Sequence, residues 1–395
     1  MEHTMNQRDV VILSGALTPL GRLNGALSTL TAVELGASAL RAAIERSGVD
    51  VADIDAVIFG QVLQAGAGQG PARQTSIAAG IGWNVPAITI NKLCLSGLTA
   101  IIDGARLIRT GEAEVVAVGG QESMSQAPHL LMGSRKGWQY GSIEALDHMA
   151  HDGLSDAFDK TSMGMSTERH NVPLGISRGD QDRIAAASHQ RAAAAVDLLA
   201  EEIAPVTITG RKGDTVVSAD EGIRPESTTE SLSGLRPAFD KDGTITAGNS
   251  SQISDGAAAL ILCSRDYAEA HNLEWLAVVG EPGQVAGPDN SLHAQPAHAI
   301  AAALERAQWE TTDLDFLEIN EAFAAVALHS SRALGVSLDI VNIHGGAIAL
   351  GHPIGASGAR IALHAAFELK RRGVGRAAVS LCGGGGQGEA LLLSL

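Results

Sequence analysis

Three side chains in this sequence have the chemistry of nucleophilic catalysis, and each sits where an apolar run breaks into glycine. Cys94 lies in Ile88-Thr-Ile-Asn-Lys-Leu-Cys-Leu-Ser-Gly, which turns into a helical pattern near Gly97. His352 lies in Gly345-Gly-Ala-Ile-Ala-Leu-Gly-His-Pro-Ile-Gly-Ala-Ser-Gly, and Cys382 opens Cys382-Gly-Gly-Gly-Gly-Gln-Gly. A thiol at a helix N-terminus faces unpaired N–H groups and the positive end of the helix dipole, which lower its pKa and favour the thiolate. The competing reading of Cys94 is a small buried hydrophobe. Pro353 fixes the backbone after His352 and the surrounding glycines leave room for a ligand, although a surface-loop histidine would look similar. An imidazole there suits a base or an oxyanion donor near neutral pH. Cys382 could exchange a proton while glycine N–H groups hold an oxyanion, or it could end a strand or pair with Cys94. Asn320, at the end of the strand pattern Phe316-Leu-Glu-Ile, could fix a water or a carbonyl, or form a turn.

The elements that must position these groups are written twice. Residues 42–58 and 302–318 each read as an amphipathic helix, an Asp-apolar-Asp turn and a buried strand. Residues 87–91 form a strand leading through the Cys94 turn into a helix from Gly97. Residues 339–343 are expected as the matching strand, leading through the His352 loop into a helix from Ser357. Short apolar strands follow at 114–120 and 376–382, and residues 255–262 match 387–393. The last strand follows the Cys382 glycines directly in the second copy but arrives only after a long stretch in the first. Residues 1–122 with 246–272 therefore form one half, 273–395 the other, and 123–245 an insertion. Strands alternating with helices predict an α/β fold with parallel or mixed sheets covered by helices. Two packed copies would bring the Cys94 turn and the His352 loop together across a pseudo-two-fold.

Composition narrows the function further. The 395 residues suffice for more than one domain-sized unit. The net charge of −16, with 28 basic against 44 acidic residues, disfavours nucleic acid as a partner. No run is apolar and long enough for a signal core or a membrane span. Three cysteines form no disulfide framework, and a reducing, cytoplasmic setting is the simplest expectation. Cys263 ends an apolar run and reads as a plain strand residue. Asp147-His148-Met-Ala-His151-Asp152 looks like a metal cluster only superficially, and a polar loop or subunit contact is favoured. Gly66-Ala-Gly-Gln-Gly-Pro-Ala-Arg73 does not fit the dinucleotide fingerprint, nor do the Cys382 glycines fit a phosphate loop.

Along nearly its whole length the chain resembles the thiolase family. The resemblance rests on Asn91-Lys-Leu-Cys-Leu-Ser-Gly, Gly119-Gly-Gln-Glu-Ser-Met, Leu235-Arg-Pro-Ala-Phe-Asp, Thr246-Ala-Gly-Asn-Ser-Ser, Asn320-Glu-Ala-Phe-Ala, and the glycine-rich segments of His352 and Cys382, in this order. It implies duplicated βαβαβαββ halves stacked as α/β/α/β/α, with an inserted loop domain. By position, Cys94 resembles the acylated nucleophile, His352 its base, and Cys382 the acid/base for the second substrate. His352 with a water on Asn320 would form one oxyanion hole, and the N–H groups of Cys94 and Gly384 the other.

The resemblance also makes the insertion a coenzyme A domain. Leu154, Met163, Arg224 and Phe239, with Ser251 just beyond it, match ligand-lining positions, and Ala322 and Phe323 belong to the same expected set. Residues 125–147 resemble a tetramer-forming loop. The implied reaction is reversible condensation of two acetyl-CoA into acetoacetyl-CoA and CoA, with CoA as substrate and product and no permanently bound cofactor. A homotetramer is expected. A broader 3-ketoacyl-CoA thiolase of fatty-acid β-oxidation and, remotely, a non-catalytic lipid-binding scaffold are the competing readings. Ser162, where short-chain relatives often have histidine, and Ala286, where they often have methionine, are both expected to remove bulk near the acyl end.

Overall fold

Local signals set the element boundaries. Thr31 and Glu34 form a reciprocal capping box at the start of α1 (Ala32–Ser47), and left-handed Gly48 ends it. Pro71 occupies the first turn of α2 (Pro71–Ala78). The helix α3 (Ser96–Thr110) runs from the Cys94 turn to left-handed Gly111. The insertion contributes α4 (Met163–Asn171) and α5 (Arg178–Ala194), each with a serine N-cap. In the second half lie α6 (Gln295–Ala307), α7 (Ala324–Leu334) and α8 (Ser357–Arg372). The computed structural model describes residues 8–395.

The sheet has ten strands: β1 (Val10–Leu17), β2 (Gly21–Arg22), β3 (Ala56–Gly60), β4 (Ala87–Ile90), β5 (Val115–Ser123), β6 (Ser254–Ser264), β7 (Ala277–Ala286), β8 (Phe316–Ile319), β9 (Arg376–Gly383) and β10 (Gln387–Ser394). Their order is β8-β9-β10-β7-β1-β6-β5-β3-β4, with the short β2 beside β6. On either side of the β1–β7 contact the pattern is the same. One strand pair is parallel (β3 with β5, β8 with β9), and the next is antiparallel (β5 with β6, β9 with β10). Val10, Val11 and Ile12 pair with Val279, Val278 and Ala277 and stitch the halves into one sheet.

Burial explains the layering. Every residue of β6 is buried, as a strand covered on both faces must be. One face of the first half packs on α1 and α2 through Leu35, Leu40, Phe59 and Ala72. The middle layer is α3 and α8, whose Leu98, Ile101, Ile361 and Ala365 share one core with strands of both halves. The outer face of the second half packs on α6 through Ala299, Ile300 and Ala303. The five layers α/β/α/β/α follow. Where α3 crosses α8, a Cβ on Gly97 would lie 2.8 Å from the Ala359 nitrogen, so only glycine permits this approach.

One expected strand is missing. Residues 339–343 do not form the counterpart of β4; a 3-10 turn (Leu338–Ile340) stands there, capped by Ser337, and only Val341 bridges Leu317. Asn342, at φ 50°, supplies the absent ladder with its side chain. Its Oδ1 accepts from the Ile319 N–H at 2.8 Å and its Nδ2 donates to the Ile319 carbonyl at 2.8 Å.

Candidate active site

The Cys94 turn is shaped by the residues around it. Leu93 adopts a left-handed φ of 55°, and the Asn91 side chain accepts from its N–H at 3.1 Å. The Ser96 hydroxyl accepts from the Lys92 N–H at 2.8 Å and donates to the Leu93 carbonyl at 2.6 Å. The glycine loop after Cys382 lies on this turn. A Cβ on Gly384 would sit 2.7 Å from a methyl of Leu93, and one on Gly383 2.7 Å from Leu95. The loop can lie flat on the nucleophile's turn because it has no side chains.

His352 is held from behind. Its backbone N–H meets the Gln252 carbonyl at 3.1 Å, and its Nδ1 lies 2.5 Å from the Ser357 hydroxyl. That hydroxyl donates its one hydrogen to the Pro353 carbonyl at 3.0 Å, so it accepts from Nδ1–H. The assigned tautomer therefore leaves Nε2 unprotonated, with its lone pair toward the Asn320 amide. Asn320 Nδ2 stands 3.5 Å from Nε2, while its buried Oδ1 has no hydrogen-bond partner among the described residues.

Cys94, His352, Cys382 and Gly384 line one cavity of about 770 Å³. Leu154, Met163, Phe239, Ser251, Ala322 and Phe323 form part of the remaining, largely apolar wall. Asn320 lies behind His352 and Arg224 is exposed outside this wall, its N–H on His189 Nδ1 at 3.1 Å. Ser162 is a wall residue, whereas Ala286 is not. Ala286 is exposed where β7 pairs with Gln387, so the expected gain of space there is corrected to the Ser162 position alone. The Asp147–Asp152 segment is not the expected polar loop: it closes a short strand (Leu146–Asp147) and winds into a π-helical turn (Met149–Gly153), in which buried His148 and exposed His151 both approach Asp152, at 2.7 and 2.6 Å.

The expected activation of Cys94 by the helix end is also corrected. Burial pushes its thiol up to about 12, outweighing the backbone N–H groups, and the Glu122 charge adds to the rise. Burial, reinforced by Arg360, pushes His352 down to about 4, away from the near-neutral value expected of it. Cys382 is raised by burial first and by Cys94 second. At rest the site thus holds two neutral thiols and a neutral imidazole.

Two further residues shape the site. Glu122 is fully buried and accepts from Val62, Leu63 and Gly355 N–H groups at 3.0, 3.0 and 2.9 Å, tying the first half to the His352 loop. An acidic residue at the end of an apolar strand was the available signal. Ser357 carried no comparable signal, because its role follows from an imidazole that folds back onto it.

Models of two family domains match the chain: the thiolase N-terminal domain over residues 10–266 and the thiolase C-terminal domain over residues 273–395. A probable acetyl-CoA acetyltransferase of Mycolicibacterium smegmatis is 56% identical over 97% of this chain and 100% of its own length. The acetyl-CoA acetyltransferase of Cupriavidus necator is 47% identical over 97% of this chain and 98% of its own. A crystal structure of the Bacillus anthracis acetyl-CoA acetyltransferase superposes with a TM-score of 0.95 at 38% identity, covering 98% of this chain and 99% of that one.

Proposed function

We propose that this chain, which belongs to the thiolase family of acyltransferases, condenses two acetyl-CoA into acetoacetyl-CoA and CoA, and runs the reverse thiolysis. The observation that supports this most is the meeting of two thiols and an imidazole with an unprotonated Nε2 in one cavity. His352 Nε2 takes the Cys94 proton and the thiolate attacks the thioester carbonyl. CoA leaves as its thiol with the proton from His352, and Cys94 keeps the acetyl group. Cys382 next passes its proton to His352 and, as a thiolate, removes a methyl proton from the second acetyl-CoA. The raised pKa of Cys382 makes that thiolate a strong base.

The enolate oxygen is held by the imidazolium and by a water on Asn320, whose unpartnered buried Oδ1 can accept a hydrogen from it. The enolate carbon attacks the acetyl group, and the Cys94 and Gly384 N–H groups hold the resulting oxyanion. Cys94 departs and takes the proton from His352, restoring the site. Incubating the protein with acetoacetyl-CoA and free CoA should yield two acetyl-CoA per molecule consumed. No turnover in either direction would sink the proposal.

A second reading, a broader range of 3-ketoacyl-CoA substrates, is favoured by one observation: a small Ser162 stands in the wall of a cavity of about 770 Å³. Comparable thiolysis of four- and eight-carbon substrates would support it, and a strict four-carbon preference would reject it. Residues 154, 163, 224 and 239 of the insertion, with 251 just beyond it, are the proposed CoA contacts. The arm at 125–147 exposes Leu131, Met132, Trp138, Tyr140 and Ile143, and we assign it to contacts within a homotetramer. Among the described residues no helix is long and apolar enough to cross a membrane. A cytoplasmic location remains part of this proposal.

A further inference from the structure

A buried carboxylate on the second half grips both flanks of the Cys94 turn. Glu389, on β10, has a fully buried side chain. Its Oε1 takes the Lys92 ammonium at 2.8 Å, and its Oε2 accepts from the Thr99 hydroxyl at 2.6 Å. Lys92 lies two residues before Cys94, and Thr99 lies in the first turns of the helix that follows it. The Gln284 amide also donates to Oε1, and Arg106, donating to the Gln284 carbonyl at 3.0 Å, orients that amide. The register places Glu389 opposite Leu381 and Gly388 opposite Cys382, so the two strands tie the backbone of the carboxylate to that of the second thiol one ladder step away, with the side chains on opposite faces.

We propose that Glu389 is a positioning residue. By holding Lys92 and Thr99 it fixes the turn of Cys94 against the strand of Cys382, and so sets the separation at which the two sulfurs cooperate. The inference rests on the two-thiol reading above, in which Cys94 carries the acetyl group and Cys382 moves the carbon-bound proton. A buried ion pair is weak evidence for stability but, at this location, strong geometric control. Misplacement of reacting groups by about an ångström can slow a reaction by one to two orders of magnitude.

The test separates the half-reactions in the full-length protein. Glu389→Leu should still be acetylated at Cys94 by acetyl-CoA, while its kcat for condensation falls about tenfold or more and KM changes little. Glu389→Gln, whose amide oxygen still accepts from Lys92 while its NH2 can donate to the Thr99 hydroxyl, should recover most of that rate. The double variant Lys92→Met/Glu389→Leu removes the stranded ammonium; it should regain the melting temperature of the parent and yet condense slowly. Recovery of condensation together with the melting temperature would overturn the proposal, as would an unchanged rate in Glu389→Leu. A parent enzyme that takes up no acetyl group at Cys94 would remove the underlying reading instead, a separate result.

Discussion

Both partners of the first proton transfer rest in their neutral forms. His352, with a pKa lowered to about 4, is unprotonated at every ordinary working pH and available as a base. Protonation disables it only as pH falls through that value, so the acid limb of Cys94 acetylation should lie near pH 4. An imidazole at its ordinary value would place the limb near 6.5. Single-turnover acetylation after brief pH jumps measures this, and a limb near 6.5 would refute the burial argument. Cys94, His352 and Cys382 were legible as candidates because each lies where an apolar pattern breaks into glycine. Their ionisation was not. It depends on burial by segments distant in sequence, and the dipole of one helix end is too small to offset that desolvation. Arg224 illustrates another limit: a position matched by resemblance need not line the enclosed part of a site.

At the scale of elements, alternating helix and strand patterns foretold nearly all of the scaffold, including the helices after Cys94 and His352. The strand expected at 339–343 failed because its apolar residues also suit a capped turn, and pattern alone does not distinguish them. Asn342 replaces that strand, and its Nδ2 also reaches Glu321 at 2.9 Å, next to Asn320. Asn342→Ala would leave the Ile319 N–H, the Ile319 carbonyl and the Glu321 carboxyl short of partners in the interior. The expected loss is at least about 2 kcal/mol of folding stability, measurable by denaturant titration. A smaller loss would show that the side chain is not standing in for a strand.

For the whole molecule, the repeated sequence pattern pointed to two halves, while the contacts joining the two parts of the sheet could not be read from it. Glu122 shows what such a contact does. Burial raises its pKa from 4.5 to about 7 while it accepts the Gly355 N–H across the interface. Because the folded value is raised, its contribution to stability is complete below 4.5 and is lost as pH rises through about 7. Glu122→Gln lacks this titration, so its melting temperature relative to the parent should shift upward as pH rises from 4.5 to about 7. A pH-independent difference would contradict the raised value. The exposed apolar arm at 125–147 belongs to the same scale: replacing Trp138 and Met132 with serine should lower the mass seen by light scattering if that arm joins subunits.

The division of labour between two sulfurs is tested most directly by mapping acetyl groups after acid-quenching the enzyme with acetyl-CoA. Peptide mass spectrometry should find one acetyl group on the Cys94 peptide, absent from Cys94→Ser. In Cys382→Ser the label should persist while condensation is slower by about a hundredfold or more. An unlabelled Cys94, or a Cys382→Ser enzyme that condenses as fast as the parent, would contradict the account.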